Sequence, residues 1–153
     1  MLLNKIIENN VYCFEEGFNT WQEALYAAGN PLVKEGYCEN KYIDAVVECV
    51  EKFGPYIVIA PNIAMPHSTE GAEGVNKTTI GFMKTEKPVH FDPNDPEKDA
   101  RLFFTLVSAN HEEHLENMMA LSTMLMNEEI VEELLLAKSV EDLEAIATKY
   151  QDS

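Results

Sequence analysis

The stretch Ile57-Val-Ile-Ala-Pro-Asn-Ile-Ala-Met-Pro-His67-Ser68 decides how the rest of this chain is read. Its opening run, Ile57, Val58 and Ile59, is apolar and β-branched and predicts a buried strand. Pro61 and Pro66 break the ladder that would follow, because proline has no N–H and biases the residue before it towards extended geometry. His67 comes next, an ionisable ring carried out of the sheet on a stiff loop. Nucleophiles are often held in this way, on a loop positioned by a rigid scaffold.

Upstream, Tyr42, Ile43, Val46, Val47 and Val50 recur at helical spacing and predict a helix from Asn40 to Phe53, closed by Gly54. Thr20-Trp-Gln-Glu23 is a capping box that opens an earlier helix. Its apolar face is Trp21, Leu25, Ala28 and Leu32; Pro31 is expected to kink or split it, and Gly36 to end it. Residues 1–18 are weakly patterned apart from Val11-Tyr-Cys-Phe14, which reads as a strand. Downstream, Ser68 to Asn76 is a polar loop holding Gly71 and Gly74. Thr78-Thr-Ile-Gly-Phe-Met83 reads as one strand and Val89-His-Phe91 as a separate short one. Asp92 to Asp99 is a loop by its turn residues, and Arg101-Leu-Phe-Phe-Thr-Leu-Val107 is a buried strand. Asn110 caps a helix to about Met126, with Leu115, Met118, Met119, Leu125 and Met126 expected to face inwards. Helices over Glu128–Lys138 and, after a capping box at Ser139, to Tyr150 complete the chain. Helices and strands in this order predict an α/β layer structure with helices packed on a central sheet. With no internal repeat and no dividing linker, one domain is expected.

The totals narrow the function. A net charge of −16 argues against nucleic acid and anionic membrane surfaces as partners, since both need basic patches. It suits a basic protein surface, or serves solubility alone. Cys13, Cys38 and Cys49 are odd in number and form no C-x-x-C pair, so reduced thiols are expected rather than a disulfide framework. The N-terminal apolar run is soon interrupted by charge and does not read as a signal peptide. No apolar run approaches the roughly 20 residues that span a bilayer. A cytoplasmic protein without membrane insertion is expected.

Two histidines carry the candidate chemistry. His67 is either a half-buried structural residue or a nucleophile; imidazole is well suited to passing on a proton or a phosphoryl group near neutral pH. His114 falls in the first turn of its predicted helix, where free N–H groups and the dipole favour bound anions; the alternative is a polar residue in an exposed turn. Together a strand-end loop and a helix N-terminus would suit a phosphate. His111 and His114 have metal-ligand spacing, but there is no H-E-x-x-H motif and the cysteines are scattered, so no metal and no cofactor is expected. His90 reads as a surface residue, and the methionines Met118, Met119, Met124 and Met126 as gap-filling core. Gly71-Ala-Glu-Gly74 lacks the pattern of a phosphate-binding P-loop.

The run Gly54-Pro-Tyr-Ile-Val-Ile-Ala-Pro-Asn-Ile-Ala-Met-Pro-His67, then Gly74-Val-Asn-Lys-Thr78, Lys87-Pro-Val-His-Phe91, His114-Leu115, Asn127-Glu-Glu-Ile130 and Glu133-Leu-Leu135, resembles a known family. It is the enzyme IIA (EIIA) domain of the bacterial sugar phosphotransferase system (PTS), of the mannitol/fructose-type superfamily and nearest its ascorbate-specific branch. The resemblance implies a mixed β-sheet flanked by helices on both sides, and residues 1–153 as a single type-2 EIIA domain. It implies that His67 takes a phosphoryl group from the carrier protein HPr and passes it to a cysteine of enzyme IIB, for uptake of an ascorbate-like sugar. His114 would be the second active-site histidine, which neutralises the phosphoryl group. The alternative is a regulatory module, phosphorylated at His67, that binds regulators rather than feeding a transporter. The chain departs from the family in having Pro66-His67-Ser68-Thr69 where many members have Pro-His-Ala-Arg or Pro-His-Gly-Arg. It also has no arginine in Val47-Glu-Cys-Val-Glu51, the helix where the mannitol type carries one.

Overall fold

In the computed structural model, residues 2–69 and 73–151 are described. The elements run α1 (Leu2–Glu8), β1 (Tyr12–Glu15), α2 (Trp21–Lys34), α3 (Asn40–Phe53), β2 (Val58–Ala60), β3 (Asn62–Ala64), β4 (Thr79–His90), a 3-10 turn (Pro96–Lys98), β5 (Asp99–Val107), α4 (His111–Leu125), α5 (Glu128–Leu136) and α6 (Val140–Lys149). Five strands form one mixed sheet in the order β1-β4-β5-β3-β2. β1 lies parallel to β4 and β3 parallel to β5, while the β4–β5 and β3–β2 pairs are antiparallel. β5 is buried along nearly all its length, as expected of a central strand covered on both faces. Helices flank the sheet on both sides, as the resemblance implies. α2 and α3 cover one face, where Leu32 lies against Gly81 of β4. The group α1, α4, α5 and α6 covers the other.

Local chemistry explains most element ends. Thr20 caps α2 by accepting from the Glu23 N–H at 3.2 Å. Gly36, at φ 82°, closes it: Tyr37 N–H bonds to Leu32 C=O at 2.9 Å and Gly36 N–H to Val33 C=O at 3.1 Å. α3 spans the expected residues, and its whole predicted stripe is buried.

Several expectations are corrected. The first residues form α1, whose Leu2, Leu3 and Ile6 are buried; seven residues are too few for a periodic signal. Pro31 does not split α2, which runs unbroken through it. It removes only the bond to Ala27 C=O, and the Cys13 thiol lies 3.7 Å from that oxygen in its place. Ile57 and Val58 are buried, but β2 is an edge strand and Ile59 is 50% exposed. The chain reverses at Pro61 and at Asn62, which sits at φ 70°, so a second strand, β3, lies between β2 and β5. The two strands predicted at Thr78–Met83 and Val89–Phe91 are one long strand, β4. Its register slips against β5 between Lys84 and Val89. Pro88 falls in that slip, where no ladder N–H is demanded of it. Arg101 Nε fills the gap by donating to Thr85 C=O at 3.1 Å, and Lys84, 1% exposed, meets Glu86 at 2.6 Å. In α4 the buried residues are Leu121 and Met124, with Met118 and Leu125 partly buried. Leu115 (50%), Met119 (71%) and Met126 (83%) are exposed. Met119 and Met126 stand two and five positions from Leu121, across the helix from it. Gly71 of the predicted polar loop lies outside the described residues.

Gly29 sets the α2–α3 spacing. A Cβ there would come within 2.5 Å of Ile43 Cδ1, which is buried. Alanine would gain about 1 kcal/mol of helix propensity but suffer about 1–3 kcal/mol of overpacking. Gly29→Ala is expected to lower Tm by a few degrees in a thermal melt; a rise would contradict the close approach.

Candidate functional site

The irregular segment after β3 is held by individual hydrogen bonds rather than by a ladder. Met65 N–H donates to Ile57 C=O at 2.8 Å, and Pro66 C=O accepts from Leu106 N–H of β5 at 2.9 Å. His67 Nδ1 lies 2.6 Å from Met65 C=O. A carbonyl only accepts, so Nδ1 carries the proton and Nε2 holds the lone pair. The Tyr56 hydroxyl donates to His67 C=O, and its ring meets the imidazole edge-on at 5.2 Å. Ser68 N–H donates to the Tyr42 hydroxyl at 3.3 Å, which itself donates to Leu106 C=O at 2.7 Å. Burial pushes Tyr42 up to about 12, so it keeps the proton it donates. Ser68 Oγ and Thr69 Oγ1 each lie 3.7 Å from Cys49 Sγ beneath.

β5 also delivers the second histidine. Beyond Val107 the Thr78 hydroxyl accepts from the N–H groups of Ala109 (2.9 Å) and Asn110 (3.2 Å). The Asn110 side chain then caps α4 by accepting from Glu113 N–H at 3.1 Å. This places half-buried His114 in the first turn. Burial pushes its pKa below the usual 6.5, and the charges of neighbouring His67 and His111 push the same way. The two candidate rings are thus brought within electrostatic reach of each other. The structure adds no arginine: the single one, Arg101, is engaged by Thr85 C=O and Leu135 C=O.

The remaining candidates lie elsewhere or do other work. His90 pairs with Asp99 at 2.8 Å, at the far end of β5. His111 is exposed, and among the described residues no three His, Cys, Asp or Glu side chains gather to hold a metal. Burial pushes the Cys13 thiol up to about 12 and the Cys38 thiol to about 11, helped by Glu15 and Glu39, so neither is an activated thiolate. Sequence reasoning missed Tyr56 and the hydroxyl of Tyr42, which it read only as part of an apolar stripe. The signal was a tyrosine where phenylalanine would have filled the same space.

The mixed sheet thus presents a histidine whose Nδ1 proton is fixed, within electrostatic reach of a second histidine in the first turn of α4. The chain belongs to the EIIA 2 family of the phosphoenolpyruvate-dependent sugar phosphotransferase system, which it matches over residues 5–150. It is 40% identical over 115 residues, 73% of either chain, to the ascorbate-specific PTS system EIIA component of Salmonella choleraesuis. The solution structure of the mannitol-specific cryptic phosphotransferase enzyme IIA of Escherichia coli superposes with a TM-score of 0.82 at 32% identity, covering 97% of this chain and 99% of that one. Enzyme IIAMTL of Escherichia coli, in complex with phosphorylated enzyme IIBMTL, superposes with a TM-score of 0.75 at 29% identity, covering 92% and 95%.

Because the folded state binds a proton at His114 less readily than the unfolded chain, this group favours unfolding as pH falls below about 6.5. Removing the charge of His67 relieves part of that shift. In an NMR titration His114 is expected to titrate below the ordinary imidazole value, and higher in His67→Ala than in wild type. Equal values in the two proteins would mean the rings do not communicate.

Proposed function

We propose that this chain is the cytoplasmic phosphoryl carrier of a sugar transport system, acting as one EIIA domain. It would take a phosphoryl group from phospho-HPr onto Nε2 of His67 and deliver it to a cysteine of enzyme IIB. The observation that carries this reading is the hydrogen bond from His67 Nδ1 to Met65 C=O, which leaves the Nε2 lone pair for attack. That lone pair attacks phosphorus in line as the P–N bond to the donor histidine breaks and the donor imidazole leaves. In the second step the IIB thiolate attacks, and His67 departs as the neutral tautomer it began as. The Met65 carbonyl disperses the positive charge that the ring carries between the steps.

Transfer of this kind demands a positioned nucleophile and stabilised phosphoryl oxygens more than covalent chemistry. The first-turn N–H groups of α4 and the His114 ring supply donors, in place of the arginines that relatives carry after the histidine or on the helix before it. Beside them Leu115 and Met119 are exposed and flanked by Glu112, Glu113 and Glu116, which suits an apolar partner surface with a basic rim. Among the described residues no helix is long and apolar enough to cross a membrane, so delivery depends on a partner. The identity to an ascorbate-specific component supports an ascorbate-like sugar as the cargo.

Phosphorylation with phosphoenolpyruvate, enzyme I and HPr is expected to give acid-labile, base-stable label on wild type and none on His67→Ala. Label persisting on that variant would refute His67 as acceptor. His114→Ala is expected to accept the group but to pass it on at a rate about 10²-fold lower, by loss of one electrostatic stabiliser; unchanged delivery would remove His114 from the mechanism. Label accepted but delivered to no IIB would assign the chain to regulation instead.

A further inference from the structure

We propose that Tyr56 and Tyr42 are positioning residues for His67, holding its main chain from both sides so that the imidazole keeps one tautomer and one direction of attack. The inference rests on the reading of His67 as phosphoryl acceptor.

The argument starts from an inventory of the segment Met65–Ser68. It lies beyond the last ladder residue of β3, and irregular backbone of this kind needs its polar groups paired individually. Main chain supplies the partners of Met65 N–H and Pro66 C=O. The His67 ring takes Met65 C=O for itself. Two groups then depend on side chains from elsewhere: His67 C=O, which takes the Tyr56 hydroxyl, and Ser68 N–H, which takes the Tyr42 hydroxyl. Both contacts lie on one peptide group, that joining His67 to Ser68, and hold it at opposite edges; together they fix the plane of that peptide and with it ψ of His67, directly beside the ring whose Nδ1 bonds to Met65 C=O. The Tyr56 ring also stands edge-on to the imidazole and limits its rotation. Tyr42 extends the hold to the sheet, since the same hydroxyl donates to Leu106 C=O.

Neither tyrosine bonds to an imidazole nitrogen, so neither takes part in proton or phosphoryl transfer at the ring. Their effect passes through the tautomer and orientation of His67, and therefore falls on the chemical step rather than on partner binding. If the hold is lost, the ring samples the tautomer with the proton on Nε2, which has no lone pair facing outward.

The test compares the full chain as wild type, Tyr56→Phe, Tyr42→Phe and His67→Ala, each labelled with 15N-histidine. Rates of transfer from phospho-HPr are measured with the His67 nitrogen shifts. For Tyr56→Phe, kcat is expected to fall about tenfold with KM for phospho-HPr unchanged, while the nitrogen shifts move towards a tautomer mixture. A merely structural tyrosine would lower Tm and leave tautomer and kcat alone, and that result would overturn the inference. Should Tyr42→Phe fail to fold, half-buried Tyr56 still decides the matter. Label absent from wild type, or persisting in His67→Ala, would mark failure of the acceptor reading itself, a result distinct from wild-type kinetics in the tyrosine variants.

Discussion

Both backbone polar groups of one residue, Leu106, tie the histidine-bearing end of this molecule together. Its N–H holds Pro66 C=O and its C=O receives the Tyr42 hydroxyl. The first bond keeps the segment before His67 against β5 after regular pairing has ended. The second brings in α3, whose tyrosine also holds Ser68. A few residues further on, β5 gives way to the cap of α4 and so to His114. One strand end therefore sets the positions of both histidines, and their separation is inherited from the sheet rather than from either loop.

The ends of β5 have different duties. At the far end its register against β4 slips, Pro88 sits in the slip, and Arg101 and the buried Lys84 meet carbonyl and carboxylate groups there. These two cations are committed to a structural repair at the other end of β5 from the histidines. At the near end the chain relies on N–H groups, hydroxyls and neutral imidazole. On the proposed reading, such donors would stabilise a phosphoryl group without holding it as strongly as a guanidinium, which suits a group that has to leave again.

The parts of this arrangement with local causes were legible in the sequence. The capping residues Thr20 and Asn110, the glycine ends at Gly36 and Gly54, and the stripe of α3 all follow from chemistry within a few residues. So did the two histidines as candidates, since prolines around His67 and a helix start before His114 are local signals. What was hidden depended on distant partners. The reversal at Asn62 leaves β2 at the edge and inserts β3, a matter of pairing order that an apolar run cannot disclose. Pro31 was tolerated because a thiol from β1 reaches the carbonyl it abandons. Met119 and Met126 looked like core because apolar character alone does not say which side of α4 meets the sheet; a partner surface and a core face have the same composition. The tyrosine hydroxyls were invisible for the related reason that a buried tyrosine reads as an aromatic until its oxygen's partner is known.

The strand order carries a consequence for how the molecule is made. His67 follows β3, yet its seat is built by β5, some forty residues further along, with β4 inserted between them in the chain. A polypeptide emerging N-terminus first from the ribosome exposes His67 well before Leu106 has been synthesised. Until then Pro66 C=O lacks its partner on β5, the Tyr42 hydroxyl lacks its acceptor, and His114 has not been brought alongside. On the proposed reading of His67 as acceptor, competence to receive a phosphoryl group would need the chain through β5 and the start of α4, and a shorter product carrying the same Met-Pro-His sequence would not divert the donor's phosphate.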